Sequence, residues 1–248
     1  MTTWGWMGVG ALAGVAAALG HAPFQLWPVA LIGFSTLIWA VSQTSAPARV
    51  AWAGGAGYFA VALHWIVEPF LIDAATHGWM APGALVLMAG GLAMFWAAAG
   101  KLAAWIGGNR AIAFAVTLAL FETARGYVLT GFPWALPAYI WTDAALMPVS
   151  ASVGPYGLTA VTLVLAALPV SAASPRASVF PAGIAVAVIC ALFVYANWHA
   201  AEDLVGGGET IRIVQPNVPQ NEKWDRDKAP EHLNRLMTST GAGEAPAL

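Results

Sequence analysis

The chain is dominated by long apolar runs separated by short breaks rich in proline, glycine and charged residues. Such breaks, at residues 20–23, 45–47 and 107–108 among others, divide the first 200 residues into seven apolar segments. An α-helix needs about 20 mainly apolar residues to cross a bilayer, and each segment is close to that length. The pattern predicts seven membrane-spanning helices, at residues 4–20, 24–43, 49–71, 79–105, 110–128, 150–172 and 178–198.

The pattern changes after Trp198. Three consecutive glycines at 206–208 indicate a flexible joint, and residues 210–215 alternate polar and apolar side chains as a strand does. A turn-rich loop follows, and residues 229–240 place Leu233, Leu236 and Met237 on one face of a helix. One strand and one helix cannot bury a core of their own. We therefore expect a helical membrane domain at 1–200, a linker at 201–209, and the beginning of an α/β domain at 210–248.

Composition excludes a water-soluble globular protein. Hydrophobic residues make up 59% of the chain and charged residues only 9%, whereas soluble domains carry about 25% charged residues. No basic patch points to a nucleic-acid partner, and a single cysteine excludes a disulfide framework.

The few charges predict the orientation in the membrane. Lys and Arg concentrate in cytoplasmic loops, and Arg49, Lys101, Arg110 and Arg176 all fall in alternate connections between the predicted helices. This distribution predicts a cytoplasmic N-terminus and a periplasmic tail after residue 198.

Two neighbouring features are candidates for chemistry or for packing. Glu122 and Arg125 are three residues apart and share a helix face, so they form either a functional site or a structural ion pair. Phe132 and Trp134 follow in a helix-breaking segment. They are either ordinary interfacial aromatics or an amphipathic lip that receives a lipid.

Other features weigh less or point elsewhere. Cys190 lies in the middle of an apolar segment, where a reactive thiolate is not expected. No cluster predicts a metal ion or a cofactor. Gly10 and Gly14 form a GxxxG pair typical of close helix packing. Trp224, flanked by charges in a loop, favours binding over folding.

Four segments, taken in order, resemble those of the apolipoprotein N-acyltransferases. They are APFQLWP at 22–28, FETARGY at 121–127, LTGFPW at 129–134, and VQPNVPQ at 214–220 with KWD at 223–225. The resemblance implies eight membrane helices and a periplasmic nitrilase-like α/β domain, of which this chain would hold the N-terminal part. It also implies a bacterial inner-membrane enzyme that takes an acyl chain from a phospholipid as a cysteine thioester. The acceptor of that chain is the N-terminal diacylglyceryl-cysteine of an apolipoprotein.

The resemblance also assigns roles to residues. It implies that the catalytic Glu, Lys and Cys lie beyond Leu248, so that this chain alone is inactive, and that no cofactor is needed. Glu122 and Arg125 would brace the mouth of the site, and the implied substrate-binding residues are Phe132, Trp134, Gln215, Asn217 and Trp224. The alternative is a non-enzymatic membrane protein, either a transporter-like bundle or a degenerate acyltransferase kept for interaction. A transporter should show inverted repeats and helices broken at mid-depth.

Overall fold

The computed structural model describes residues 1–144, 146–172, 178–202, 213–219, 222–223 and 225–242. Within these residues, each of the seven predicted apolar segments contains one long helix. The long helices are α1 (Thr3–Ala18), α2 (Trp27–Gln43), α3 (Pro47–Ala62), α6 (Ala81–Ile106), α7 (Arg110–Arg125), α8 (Ser150–Ala167) and α9 (Val179–Glu202). Two short helices, α4 (Glu68–Leu71) and α5 (Ala74–His77), lie between α3 and α6, and α10 (Ala229–Gly241) lies in the tail.

The prediction of one continuous helix at 49–71 is wrong. Helix α3 ends at Ala62, and the segment from His64 to Leu71 is bent away from it by 63°. Pro69 explains the break, because it has no N–H to donate and its ring would clash with the carbonyl of Trp65 in a continuous helix. The proline instead occupies the first turn of α4, a position that needs no donor.

The seven long helices do not establish seven membrane spans, because several of them are too short. By length and apolar composition, the described residues contain three helices that could cross a membrane, at Ala74–Ile106, Met147–Val170 and Val179–Ala196. The bent pair formed by α3 and the segment after it would be a fourth. At 16 residues, α1 is about 24 Å long, which is shorter than a hydrocarbon core of about 30 Å. The count of seven spans therefore stays a prediction.

The tail agrees with the prediction only in part. Helix α10 at Ala229–Gly241 confirms the predicted helix at 229–240. The predicted strand is wrong at residues 213–215, which belong to a segment at 213–219 without regular secondary structure. A strand needs a neighbouring strand to pair with its backbone, and the described part of the chain contains none. Residues 210–212 and the linker at 203–209 lie outside the described residues.

The GxxxG prediction is confirmed by close packing of α1 on α3. A Cβ atom on Gly14 would lie 1.9 Å from the carbonyl oxygen of Gly54, and one on Gly10 would lie 2.7 Å from that of Val50. Both glycines therefore bring the two backbones into contact. On its other side α3 packs as closely on α6, where a Cβ on Gly100 would lie 2.9 Å from the carbonyl oxygen of Pro47.

These contacts give the bundle two distinct ends. Helices α1, α3 and α7 begin at the end that carries Arg49, Lys101 and Arg110, which we call the basic end. They finish at the opposite end, where the connection at residues 126–149 lies, and we call this the cavity end. Three of the basic residues used to predict the orientation thus lie at one end of the bundle, and the orientation itself stays a prediction.

Candidate functional site

A buried ion pair at the last turn of α7 is the centre of the cavity end. Glu122 and Arg125 are 0% and 1% exposed, and Nη2 of Arg125 lies 2.5 Å from Oε2 of Glu122. Nε of Arg125 donates to Oε1 of the carboxylate at 3.2 Å, and Nε1 of Trp96 donates to the same oxygen at 2.8 Å. The guanidinium carbon lies 5.0 Å from the ring centre of Phe59. The geometry confirms the pairing predicted from the i, i+3 spacing.

Arg125 also holds the connection that follows α7. Its Nη1 donates to the backbone carbonyls of Phe132 and of Trp134, the latter at 2.9 Å. These two bonds from a charged donor hold residues 126–136, which we call the 126–136 loop. Gly131 gives the loop its turn: its φ is +76°, and a Cβ there would lie 2.3 Å from the carbonyl oxygen of Gly126.

A second set of hydrogen bonds holds the same loop from the side of α3. The hydroxyl of Tyr58 donates to the carbonyl of Ala135 at 3.1 Å, and it accepts a hydrogen bond from Nε2 of His21 at 2.6 Å. Both side chains are buried. One chain of hydrogen bonds thus joins the turn after α1, helix α3 and the 126–136 loop.

Between these elements lies a cavity of about 720 Å³. This size is typical of sites that take small organic ligands. Its wall is mostly apolar and is formed by residues from the turn after α1, the end of α3 and the connection at 126–149, among them His21, Gln25, Leu63, Trp65, Trp134, Tyr139 and Asp143. Burial raises the pKa of the Tyr139 hydroxyl.

Of the predicted substrate-binding residues, Trp134 is the one that lines this cavity. Its side chain is 57% exposed and meets the ring of Trp65 edge to face, with 5.7 Å between the ring centres. Phe132 is half buried and packs against the core, outside the cavity wall. Gln215 and Asn217 line a separate cavity of about 460 Å³ in the tail, and Trp224 lies outside the described residues.

Sequence reasoning missed several residues that form the site. It gave no role to His21, Tyr58, Trp65 or Tyr139. A histidine in the short turn between two apolar helices is a signal in the sequence that could have found the first of these. Cys190 is exposed on the surface of α9 and is not part of the cavity wall.

His21 is expected to make the protein less stable as the pH falls from about 6.5 to about 4. Burial lowers its pKa to about 4 from the usual 6.5, so the folded protein keeps the neutral imidazole while the unfolded chain binds a proton. This loss of stability is absent above pH 6.5, grows as the pH falls, and reaches about 3 kcal/mol near pH 4. Unfolding free energies of the protein and of His21→Gln in detergent, measured at steps of pH, should diverge over this range.

His77→Gln is the matched control, because His77 is an exposed histidine at the same end of the bundle. This variant keeps His21, so it should keep the loss of stability between pH 6.5 and pH 4 that His21 causes. Equal slopes for His21→Gln and His77→Gln would contradict the prediction.

Comparisons with known proteins identify relatives. Residues 13–168 match the family model described as apolipoprotein N-acyltransferase N-terminal domain. A protein named apolipoprotein N-acyltransferase from Caulobacter vibrioides is 39% identical over 252 residues, which cover 96% of this chain and 47% of the relative. A protein of the same name from Rhodopseudomonas palustris is 31% identical, over 98% of this chain and 49% of the relative's length. Another from Brucella melitensis is 32% identical, over 95% of this chain and 48% of the relative's length. The chain thus spans about half the length of the curated relatives it matches.

Proposed function

Because the chain belongs to the apolipoprotein N-acyltransferase family, we propose that it forms the membrane part of an enzyme that acylates bacterial lipoproteins. The acyl donor is a membrane phospholipid, and the acceptor is the N-terminal diacylglyceryl-cysteine of an apolipoprotein. The observation that carries this proposal is the apolar cavity of about 720 Å³ at one end of the bundle, bordered by Trp134 on a loop that a buried ion pair fixes.

In this proposal the cavity holds an acyl chain, and the 126–136 loop positions it. Each methylene moved from water into an apolar site contributes about 0.8 kcal/mol, so even a short stretch of acyl chain binds favourably. The indoles of Trp134 and Trp65 form one wall, and their edge-to-face contact limits how far either ring can turn. The same cavity is also lined by polar residues that can contact the hydrophilic part of the substrate, namely Gln25, Thr142 and Asp143.

The cavity end is proposed to face the periplasm, and the basic end the cytoplasm. Arg49, Lys101 and Arg110 lie at the basic end, as the tendency of cytoplasmic loops to carry Lys and Arg requires. The carboxylates of residues 1–198, which are Glu68, Asp73, Glu122 and Asp143, lie toward the cavity end. This orientation places the cavity on the side where lipoproteins mature, in the bacterial inner membrane.

The position of the helix breaks favours this function over a transporter. A transporter site is formed by helices broken near the middle of the membrane. Here α3 breaks after Ala62, and the non-helical residue of α8, Gly154, lies close to the start of that helix. Both breaks are at the cavity end, and Ala62 and Leu63, at the break after α3, line the cavity.

The chemical step needs groups that the described residues do not bring to the cavity. Acyl transfer through a thioester requires a cysteine thiolate that attacks the ester carbonyl of the phospholipid and releases the lysophospholipid, after which an amine attacks the thioester. Cys190 is not among the residues that line the cavity. We therefore propose that residues 1–248 alone bind lipid and do not transfer the acyl chain.

The test replaces the matching half of the Caulobacter vibrioides relative with this chain. Given phospholipid and a diacylated lipopeptide, the hybrid should yield the triacylated product by mass spectrometry, and the 248-residue chain alone should yield neither this product nor a thioester adduct. Trp134→Ala in the hybrid should lower kcat/KM by about 10- to 100-fold, since about 1.5–3 kcal/mol of apolar contact with the acyl chain is lost. Trp105→Ala is the matched control, because Trp105 is an exposed tryptophan at the basic end.

An inactive hybrid that folds would contradict the proposed function. Equal rates for Trp134→Ala and Trp105→Ala would contradict the role of the cavity wall. Product formed by the 248-residue chain itself, above the level of its Cys190→Ala variant, would contradict the proposal that this chain binds lipid without transferring the acyl chain.

A further inference from the structure

A second concave surface lies at the basic end, away from the cavity. It is a groove of about 270 Å³ between α1, α3 and α6, and it shares no residue with the cavity at the other end. The wall is formed by Met7, Ala48, Arg49, Trp52, Met94 and Ala97.

The groove is apolar, and one of its walls is rigid. The small side chains of Ala48 and Ala97 create the concavity, while the flexible side chains of Met7 and Met94 border it. The indole of Trp52 is held in place because its Nε1 donates to the carbonyl of Gly90 at 3.1 Å. Such a slot is suited to a flexible hydrocarbon chain.

The mouth of the groove is positively charged. Arg49 lies in the first turn of α3 and is exposed, and none of the described carboxylates pairs with it. Lys101 follows Ala97 by four residues on α6 and therefore lies on the same helix face, one turn closer to the end of the bundle. The carboxylates of the bundle that the structure describes lie toward the cavity end, so they do not neutralise these two cations.

Exposed tryptophans indicate that this mouth lies at the depth of lipid headgroups. Trp4 in the first turn of α1 and Trp105 in the last turn of α6 are 80% and 81% exposed. Tryptophan side chains with such exposure in a membrane protein are typical of the membrane–water interface. Arg49 is at the same end, so a phosphate beside it would lie at its normal depth.

We propose that this groove is a binding site for an anionic phospholipid of the leaflet that surrounds the basic end. The phosphate lies between Arg49 and Lys101, and one acyl chain follows the groove past Trp52 to Met94. The positive charge of Arg49 and Lys101 favours an anionic lipid over a second copy of the chain as the occupant of the groove. Two copies related by a two-fold axis through the groove would bring both pairs of cations together, and this repulsion opposes dimerisation.

The experiment measures lipid binding to the purified, delipidated chain in detergent by native mass spectrometry. Phosphatidylglycerol should bind about tenfold more tightly than phosphatidylcholine with the same acyl chains, as expected for a charge-assisted contact to an exposed arginine. Arg49→Gln should abolish this preference, and Lys101→Gln should reduce it about fivefold. Arg110→Gln should retain it, because Arg110 is an exposed arginine at the same end that does not line the groove.

A second variant tests the groove itself. Ala97→Leu fills the slot and should weaken the binding of both lipids by a similar factor, while Arg49→Gln should weaken the binding of the anionic lipid more than that of phosphatidylcholine. Unfolding midpoints of all variants show that they are folded, and the surface change Arg49→Gln decides the outcome if Ala97→Leu does not fold. The proposal is overturned if Arg49→Gln and Arg110→Gln bind phosphatidylglycerol equally, or if the chain is a dimer that Ala97→Leu dissociates.

Discussion

Arg125→Ala should destabilise the protein by about 3–5 kcal/mol, which is the usual cost of leaving one member of a buried ion pair without its partner. The carboxylate of Glu122 is fully buried, and the arginine supplies its counter-charge at 2.5 Å. The same substitution also removes the donors to the carbonyls of Phe132 and Trp134, so the 126–136 loop loses its anchor. Unfolding by denaturant in detergent measures the loss.

Arg110→Ala is the control for this prediction, because Arg110 lies exposed at the other end of the same helix. Its effect should stay within about 0.5 kcal/mol, as is usual for surface substitutions. Glu122→Ala should also be strongly destabilising, but it leaves the loop carbonyls with their donor. A loss below about 1 kcal/mol for Arg125→Ala, as for an exposed ion pair, would show that the pair is not the structural centre of the cavity end.

Gly14→Ala should destabilise the protein by about 3 kcal/mol, the upper end of what overpacking usually costs. The new methyl group would lie 1.9 Å from the carbonyl oxygen of Gly54, and the obstacle is backbone. A backbone atom cannot rotate away as a side chain can, so α1 and α3 must separate. The change in unfolding free energy measures this cost.

Gly8→Ala, in the same helix, provides the matched comparison. No atom lies within 4 Å of a Cβ at Gly8, so the substitution should be neutral or stabilise the helix by up to about 1 kcal/mol through its higher helix propensity. Similar losses at both positions would mean that α1 and α3 are not held in backbone contact.

The binding role proposed for Trp134 in the bundle has more structural support than the roles expected for residues in the tail. The family model matches residues 13–168, which include the ion pair, the 126–136 loop and the cavity, and the alignments to the curated relatives extend into the tail. The binding role proposed for Trp134 thus rests on residues inside the matched region. The roles expected for Gln215, Asn217 and Trp224 stay predictions, since the structure places the first two at a different cavity.

Several features of the fold were determined by the sequence alone, because they depend on neighbours along the chain. Apolar runs of 16 residues or more are helices in each predicted segment. The spacing of Glu122 and Arg125 predicted their pairing, and the spacing of Gly10 and Gly14 predicted a close helix contact. Helix periodicity fixes which side chains share a face, and this is a local property.

The tertiary structure decided what depends on residues distant in sequence. The end of α3 at Ala62 follows from a proline that the apolar pattern conceals, and the missing strand at 213–215 follows from the lack of a pairing partner in the described part of the chain. The cavity could not be predicted, because its wall joins His21, Trp65 and Trp134 from three separate segments. Nor could the hydrogen bonds that run from His21 through Tyr58 to Ala135, since they link positions 37 and 77 residues apart. The order of residues along a chain does not state which distant groups meet, because that depends on how the packed helices bring their ends together.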